Sequence, residues 1–328
     1  MPVDVSVVVP TYKRVDLLVR CLAALIRQDY PPTGYEIIVA DDAACPITRQ
    51  RVDRLAQRVC AQRACAPALR YLPVVGQHGP AAARNAGWRA ACGRYIAFTD
   101  DDTIPDLSWL RAGVAALANG ADGAAGRVIV PLPPQPSDYE RDVSRLMEGK
   151  FVTANCFYRR DLLEAVGGFD ERFAVAWRED SDLFFTLISR GACLVNVPDA
   201  IVEHPIRPAR WGMSICQQRK SFYNALLYKK HPYAYRRYIQ ATPPWHYYGI
   251  VVALGLLIVA LLSWDVPLAI VAASTWLLLT GRFCLRRLRG TSHALPHILE
   301  MAVTSALIPL LSVYWRLRGA ITFRVWFF

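Results

Sequence analysis

Acidic residues are nearly missing from the last third of this 328-residue chain: from Pro205 to Phe328 there are only Asp265 and Glu300, against 15 Lys and Arg. The first 204 residues carry 23 basic and 25 acidic side chains, so the formal net charge of +11 belongs entirely to the last third. Those cations flank long apolar runs instead of covering a polar surface, which argues against nucleic-acid binding. The nine cysteines contain no C-x-x-C pair, which speaks against a zinc ribbon, and their odd, scattered distribution does not suggest a disulfide framework. They read as reduced, mostly buried thiols. Met1-Pro2-Val3-Asp4 leads straight into an apolar run, with no basic n-region, long h-region or small-residue cleavage site. The folded part is therefore expected to stay in the cytoplasm. No G-x-G-x-x-G follows the first apolar run, where Pro10-Thr11-Tyr12-Lys13-Arg14 stands, which sets aside a Rossmann oxidoreductase. Internal repeats and low-complexity tracts are also lacking.

What is present in excess is apolar content, 54% against about 45–50% in soluble chains. Trp245 to Trp264 matches the length needed to cross about 30 Å of hydrocarbon, and it opens on an aromatic belt of Trp245, Tyr247 and Tyr248. Asp265 and Pro267 form a turn, and Val266 to Phe283 can return, ending at Arg282, Arg286, Arg287 and Arg289. Cations before the first span and after the second put both ends inside, giving a helical hairpin over 245–283. The third apolar segment, within 294–328, carries Pro296, His297, Glu300 and Pro309 and is followed by Arg316, Arg318 and Arg324. Crossing would leave those arginines outside, so an in-plane or re-entrant helix is favoured over a third crossing.

Residues 1–235 read as one α/β domain. Val3 to Pro10 has the continuous Val-rich pattern of a doubly buried parallel strand. Helix patterns follow at Val15–Ile26, Thr48–Cys60 and Gly79–Ala91, alternating with strands at Tyr35–Ala40, Ala68–Val75 and Arg94–Thr99. This alternation predicts a mostly parallel sheet flanked by helices, with ligands at the carboxyl ends of the strands. Polar clusters fall at those ends, and the Pro-rich stretch from Pro131 to Pro136 interrupts the pattern as a loop.

Three consecutive carboxylates at a strand end, Asp100 to Asp102, repel one another unless a cation or proton intervenes. They form a natural divalent-metal site, and alternation points Asp100 and Asp102 the same way. Helix capping or a solvated turn is the plainer reading, since Thr103 and Pro105 follow. Asp41-Asp42 ends a second strand and reads as a plain turn or as carboxylates free to accept an N–H or a hydroxyl. Glu179-Asp180 opens a helix pattern, where an acidic pair can serve acid–base chemistry or complement the helix dipole. Residues 205–245 hold eight Lys and Arg, among them Arg219, Lys220, Lys229 and Lys230, with Trp211 and six other aromatics interleaved. Such a segment suits anionic lipid headgroups or ordinary positive-inside anchoring.

Taken in order, Val7 to Tyr12 (VVVPTY), Val39 to Asp42 (VADD), Ala83 to Gly87 (ARNAG), Asp100 to Asp102, Gly167 to Glu171 (GGFDE) and Glu179 to Leu183 (EDSDL) resemble the family 2 glycosyltransferases. These are inverting enzymes of GT-A fold that use nucleotide sugars. The resemblance runs from Val5 to about His204. It implies that Pro10, Thr11, Asp41 or Asp42, Arg84, Asp100 and Asp101 meet the nucleotide sugar. It further implies that Asp100 and Asp102 hold Mg²⁺ or Mn²⁺, with His204 a plausible third ligand, and that Asp180 is the general base, supported by Glu179. Ala43-Ala44 replaces the usual Gly-Ser after the second Asp. The run Gln217-Gln218-Arg219-Lys220 departs from the Gln-x-x-Arg-Trp motif of processive synthases, because Cys216 stands for Gln and Lys220 for Trp. The expectation is a multi-pass cell-membrane enzyme with a cytoplasmic catalytic domain, passing sugar to a lipid-linked or cell-envelope glycan acceptor. Trp211, Arg219, Lys220, Lys229 and Lys230 are the candidates to meet acceptor or lipid, and no nucleic acid is involved. A polyprenyl phosphate acceptor, which needs no base, and an inactive nucleotide-sugar-binding scaffold are the alternatives.

Overall fold

The computed structural model describes residues 3–62 and 65–327. It divides into two units, Met1–Pro131 with Arg145–Ile206, and Leu132–Ser144 with Arg207–Phe328. The excursion Leu132–Ser144, which holds most of the Pro-rich stretch, thus belongs with the C-terminal segments.

The first unit is built on one eight-stranded sheet. Its strands are β1 (Val5–Thr11), β2 (Tyr35–Asp41), β3 (Ala68–Pro73), β4 (Tyr95–Phe98), β5 (Ile104–Pro105), β6 (Gly123–Ile129), β7 (Cys156–Arg159) and β8 (Leu194–Glu203). They lie in the order β3-β2-β1-β4-β7-β6-β8-β5. Strands β3, β2, β1 and β4 are mutually parallel, the half that the alternating sequence pattern anticipates. Strand β7 runs antiparallel between β4 and β6, so the sheet as a whole is mixed. The helices are α1 (Val15–Leu25), α2 (Pro46–Gln62), α3 (Pro80–Arg89) and α4 (Trp109–Ala118) and, after α5 (Asp138–Ser144) of the second unit, α6 (Arg160–Val166) and α7 (Glu179–Ser189).

Burial on both faces explains the Val-rich first strand: Val5, Val7, Val8 and Val9 are all fully buried. Leu18, Cys21, Leu22 and Leu25 of α1 pack on one face with Trp109 and Leu110 of α4. Beneath β1, the Glu36 carboxylate accepts from Ser6 Oγ at 2.6 Å, Cys92 N–H at 2.7 Å and Arg70 Nη1 at 2.7 Å. Burial alone would raise its pKa; the three donors hold it below the ordinary range.

Strands β6 and β8 are irregular where they turn towards the site. Gly126 pairs with Val197 but Arg127 with Ile201, so residues 198–200 bulge out of the ladder. Asn155 fills the gap. Its Nδ2 donates to Ala200 O at 2.8 Å and Arg127 O at 3.0 Å, while Trp109 Nε1 donates to its Oδ1 at 2.8 Å. A Cβ on Gly126 would lie 2.2 Å from Ala200 O, so only glycine admits the amide here.

The second unit contains α8 (Met213–Gln217), α9 (Ser221–Lys230), α10 (Pro232–Tyr238), α11 (Trp245–Leu262), α12 (Val266–Leu288) and α13 (Leu295–Phe323). The last three are long and apolar enough to cross a membrane. Asp265 caps α12, accepting from Leu268 N–H at 3.0 Å at the turn the sequence marks. Helix α13 meets the hairpin away from that turn: Ile308 packs with Ile250 and Phe283. Arg287, near the end of α12, donates to Thr304 and Ser305 of α13, to Ser214 and to Asp138 of the excursion. That network clips α5 to the apolar helices.

Asn155→Ala leaves two carbonyls and one indole N–H unsatisfied in the core. It should cost about 2–4 kcal/mol, read by denaturant unfolding of the purified chain.

Candidate active site

The carboxyl end of β4 is shaped by two threonines. Thr99 Oγ1 lies 2.7 Å from Thr103 Oγ1 and donates to Ala154 O, and Thr103 Oγ1 donates to Asp100 O at 2.7 Å. The resulting turn presents its three aspartates to different partners. Asp101 turns inward, where Thr11 Oγ1 donates to it at 2.7 Å and Arg14 Nη1 at 3.0 Å. Burial, opposed by Arg14, pushes its pKa up to about 6. Asp101 therefore ties the end of β1 to the end of β4.

Asp100 and Asp102 face together, as alternation requires, and His204 joins them from the residue just past β8. Donor atoms of all three lie within 4.8 Å of one another. His204 Nε2 is 3.5 Å from Asp102 Oδ1, and its buried Nδ1 has no hydrogen-bond partner. Two carboxylates and an imidazole with an orphaned ring nitrogen suit a divalent cation.

Arg84 of α3 is buried between two acids. Its Nη2 donates to Asp100 Oδ1 at 2.8 Å and its Nη1 to Glu179 Oε1 at 2.9 Å. Burial would weaken its charge, but the two carboxylates raise its pKa above the ordinary guanidinium value. Glu179 opens α7; burial pushes its carboxyl up to about 7 against the pull of Arg84. Its neighbour Asp180 is half-buried and is held by Ser181 N–H on Oδ1 at 2.6 Å. Asp180 is thus the more accessible acid of the pair.

The strand-end pair Asp41-Asp42 is occupied by its own turn. Asp41 is fully buried and accepts from Ala43 N–H, Cys45 N–H and Tyr71 Oη at 2.8–3.0 Å. Asp42 binds His78 Nδ1 and Gly79 N–H, both at 3.0 Å, shaping the loop into α3. Pro10 and Thr11 end β1 beside this turn, where Asp42 N–H donates to Thr11 O at 3.0 Å.

Two motifs separated by 80 residues form one joint. Asn85 Nδ2 donates to Phe169 O and Glu171 Oε1, and its Oδ1 accepts from Phe169 N–H and Trp88 Nε1, all at 2.7–2.9 Å. Arg14, Tyr71, His78 and Asn85 were not singled out from the sequence. Arg14 and Asn85 lie inside motifs that were quoted or bordered, but nothing local marks Tyr71 or His78.

Of the basic candidates, all in the second unit, Trp211 is exposed, and Lys229 Nζ donates to Phe323 O at 2.8 Å at the end of α13. Arg219 is exposed, and Lys220 and Lys230 are half-buried with partners of their own.

Arg84→Met would strand two carboxylates, and a loss of about 3–5 kcal/mol is expected in unfolding measurements. The loss should be smaller at acidic than at alkaline pH, because a protonated Glu179 tolerates burial without a cation.

The profile of "Glycosyl transferase family 2" matches residues 6–168, and that of "Glycosyl transferase family group 2" matches residues 95–285. Glycosyltransferase AglE of Haloferax volcanii is 30% identical over 218 residues, covering 62% of this chain and 67% of that protein. The pre-mycofactocin glycosyltransferase of Mycobacterium tuberculosis is 28% identical over 320 residues, covering 91% of this chain. This chain spans only 61% of that relative's length. Among solved structures, the mannosyltransferase PcManGT of Pyrobaculum calidifontis, in complex with GDP-Man and Mn²⁺, superposes with a TM-score of 0.60 at 21% identity. That match covers 97% of this chain and 89% of the other, a likeness of fold. Sheet order, acidic strand end and profile matches converge: the chain belongs to the family 2 glycosyltransferases.

Proposed function

We propose that the protein is a membrane-anchored inverting glycosyltransferase that moves a sugar from a nucleoside diphosphate sugar to a hydroxyl of a lipid-linked or cell-envelope glycan. The observation that carries this reading is the Asp100–Asp102–His204 group, joined through Arg84 to the start of α7, where Asp180 stands. The neighbour solved with GDP-Man and Mn²⁺ supports both the donor class and a divalent cation, Mg²⁺ or Mn²⁺, at this group. A cation bound there supplies Lewis acidity to the departing diphosphate.

The chain's own residues do the rest. Arg84 offsets one of the two charges of Asp100 and Glu179, which lessens their repulsion of an incoming diphosphate. Asp180 takes the proton of the acceptor hydroxyl as its oxygen attacks the anomeric carbon from the side opposite the leaving group. One displacement then inverts the centre. Pro10, Thr11, Asp41, Asp42 and Asp101 frame the nucleotide side, with Asp41 and Asp101 acting through the turns they hold.

The apolar helices anchor this chemistry. Arg282, Arg286, Arg287 and Arg289 after the second span, and the basic segment 205–245 before the first, support a cytoplasmic GT-A domain by the positive-inside bias. Helix α13 touches the hairpin at Ile250, Phe283 and Arg287, all away from the Asp265 turn, which supports an in-plane or re-entrant course for 294–328.

Asp180→Asn should lower transfer by about 10²–10⁴-fold while leaving donor binding intact, measured with membranes, a panel of nucleotide sugars and mass spectrometry of the glycosylated product. Full activity in that variant refutes the base and favours an acceptor that is already anionic, such as a polyprenyl phosphate. Asp102→Asn should instead weaken donor binding together with the metal dependence of the reaction.

A further inference from the structure

Helix α2 of the first unit carries a row of cations that its own packing does not use. Thr48 and Val52 are buried, and Leu55 and Val59 pack with Val52 on the core, so one stripe of the helix faces the sheet. A second stripe holds Ile47, Arg51, Arg54 and Arg58. At 100° per residue these four fall within about 60° of one another around the helix axis, in a line about 16 Å long. All four are exposed, Ile47 at 62%.

Such a row costs the helix stability. Arg51 and Arg54 are three positions apart and Arg54 and Arg58 four, the spacings at which like charges on a helix repel. The helix has one acid, Asp53, and its carboxylate meets Arg49 at 3.8 Å instead of the row. Arg51, Arg54 and Arg58 have no ion pair among the described residues. Residues 1–204 balance 23 basic with 25 acidic side chains, so the row is a local excess on a near-neutral stretch of chain. Aliphatic side chains stand at one end of it. Val75, 88% exposed, follows Val74, whose N–H donates to Asp41 O at 3.0 Å. Ile47 lies two positions after Cys45, whose N–H donates to Asp41 Oδ2 at 2.8 Å. Both therefore sit at the carboxyl end of β2.

We propose that this face of α2, from Ile47 to Arg58 and with Val75, docks on the headgroups of an anionic bilayer. Guanidiniums in a line suit a layer of phosphates, and the two aliphatic side chains suit the apolar boundary beneath it. A protein partner would have to bring acids in register with the row, whereas a lipid surface needs no register. The same chain carries three helices long and apolar enough to cross a bilayer, which supply that surface. The inference rests on the membrane association proposed above and not on glycosyl transfer, so a chain dead in transfer docks in the same way.

The test uses the full chain in nanodiscs of phosphatidylcholine, with or without phosphatidylglycerol. Phenylglyoxal is added, and the modification rate of each arginine is read by peptide mass spectrometry. Arg51, Arg54 and Arg58 should react about fivefold more slowly when phosphatidylglycerol is present, and about 0.5 M salt should remove most of that protection. Arg111, on α4 against β6 and β8 in the other half of the sheet, has a side chain 62% exposed and should keep its rate as the reference. Arg54→Gln should return Arg51 and Arg58 towards their rates in phosphatidylcholine, and Ile47→Ser should about halve the protection of Arg51. Both substitutions are at exposed positions and leave the core intact. Equal rates in the two kinds of nanodisc overturn the proposal, as does protection that neither salt nor Arg54→Gln reduces. Protection by poly-glutamate in phosphatidylcholine nanodiscs, with none from phosphatidylglycerol, assigns the row to an acidic protein and overturns the lipid.

Discussion

One buried guanidinium organises the acidic end of the sheet. Arg84 reaches Asp100 with one nitrogen and Glu179 with the other, tying the turn after β4 to the first residue of α7. Without it, two acids would share a cleft of low dielectric, and the local charge would favour protonation over cation binding. The rest of the site inherits its geometry from this clamp. Asp102 lies beside His204 while Asp100 is turned towards Arg84. Asp180 follows Glu179 and is aimed by the same helix start. The two carboxylates share one cation, and burial leaves the second oxygen of Glu179 without a partner.

Several quoted motifs prove to be joints between elements. Ala-Arg-Asn-Ala-Gly on α3 holds the acids through Arg84 and the Gly-Gly-Phe-Asp-Glu turn through Asn85. Gly87 brings the same helix against β1, since a Cβ there would lie 2.3 Å from Val8 Cγ1. Asp101 joins β4 to β1 through Thr11 and Arg14. A GT-A sheet end works because such short polar contacts fix the relative positions of strands whose own ladders say nothing about their carboxyl ends.

The strand and helix alternation up to β4 was legible because β1, β2 and β4 are buried on both faces and read as largely apolar runs, while β3, at the sheet edge, is marked only by its place in the alternation. The facing of Asp100 and Asp102 was legible from strand alternation continued one turn further. The mixed half of the sheet was not, since β5 has two residues and β7 four, too few for periodicity to register. The resemblance gave Arg84, Asp41 and Asp101 to the nucleotide, whereas each is engaged by protein groups first: Arg84 by two acids, Asp41 by its own turn and Asp101 by Thr11 and Arg14. Sequence spacing carries no information about such partners, which lie 16 to 95 positions away for Arg84.

The same reasoning separates the arginines of the apolar helices. A charge inside a helical bundle persists when its donors are matched, and Arg287 meets that condition with two hydroxyls from α13, one from α8 and a carboxylate from α5. Both Arg287 and Arg316 follow apolar stretches, and both read in sequence as positive-inside anchors. Anchoring requires only that the cation reach water or headgroups, so it predicts exposure. Arg316 is buried against Phe327 instead, and α13 turns its apolar side chains Leu299, Val303, Leu307 and Ile321 outward while enclosing Thr304, Ser305, Ser312 and Arg316. A helix that hides its polar stripe and shows its apolar one is solvated by hydrocarbon outside and by its own polar contacts within.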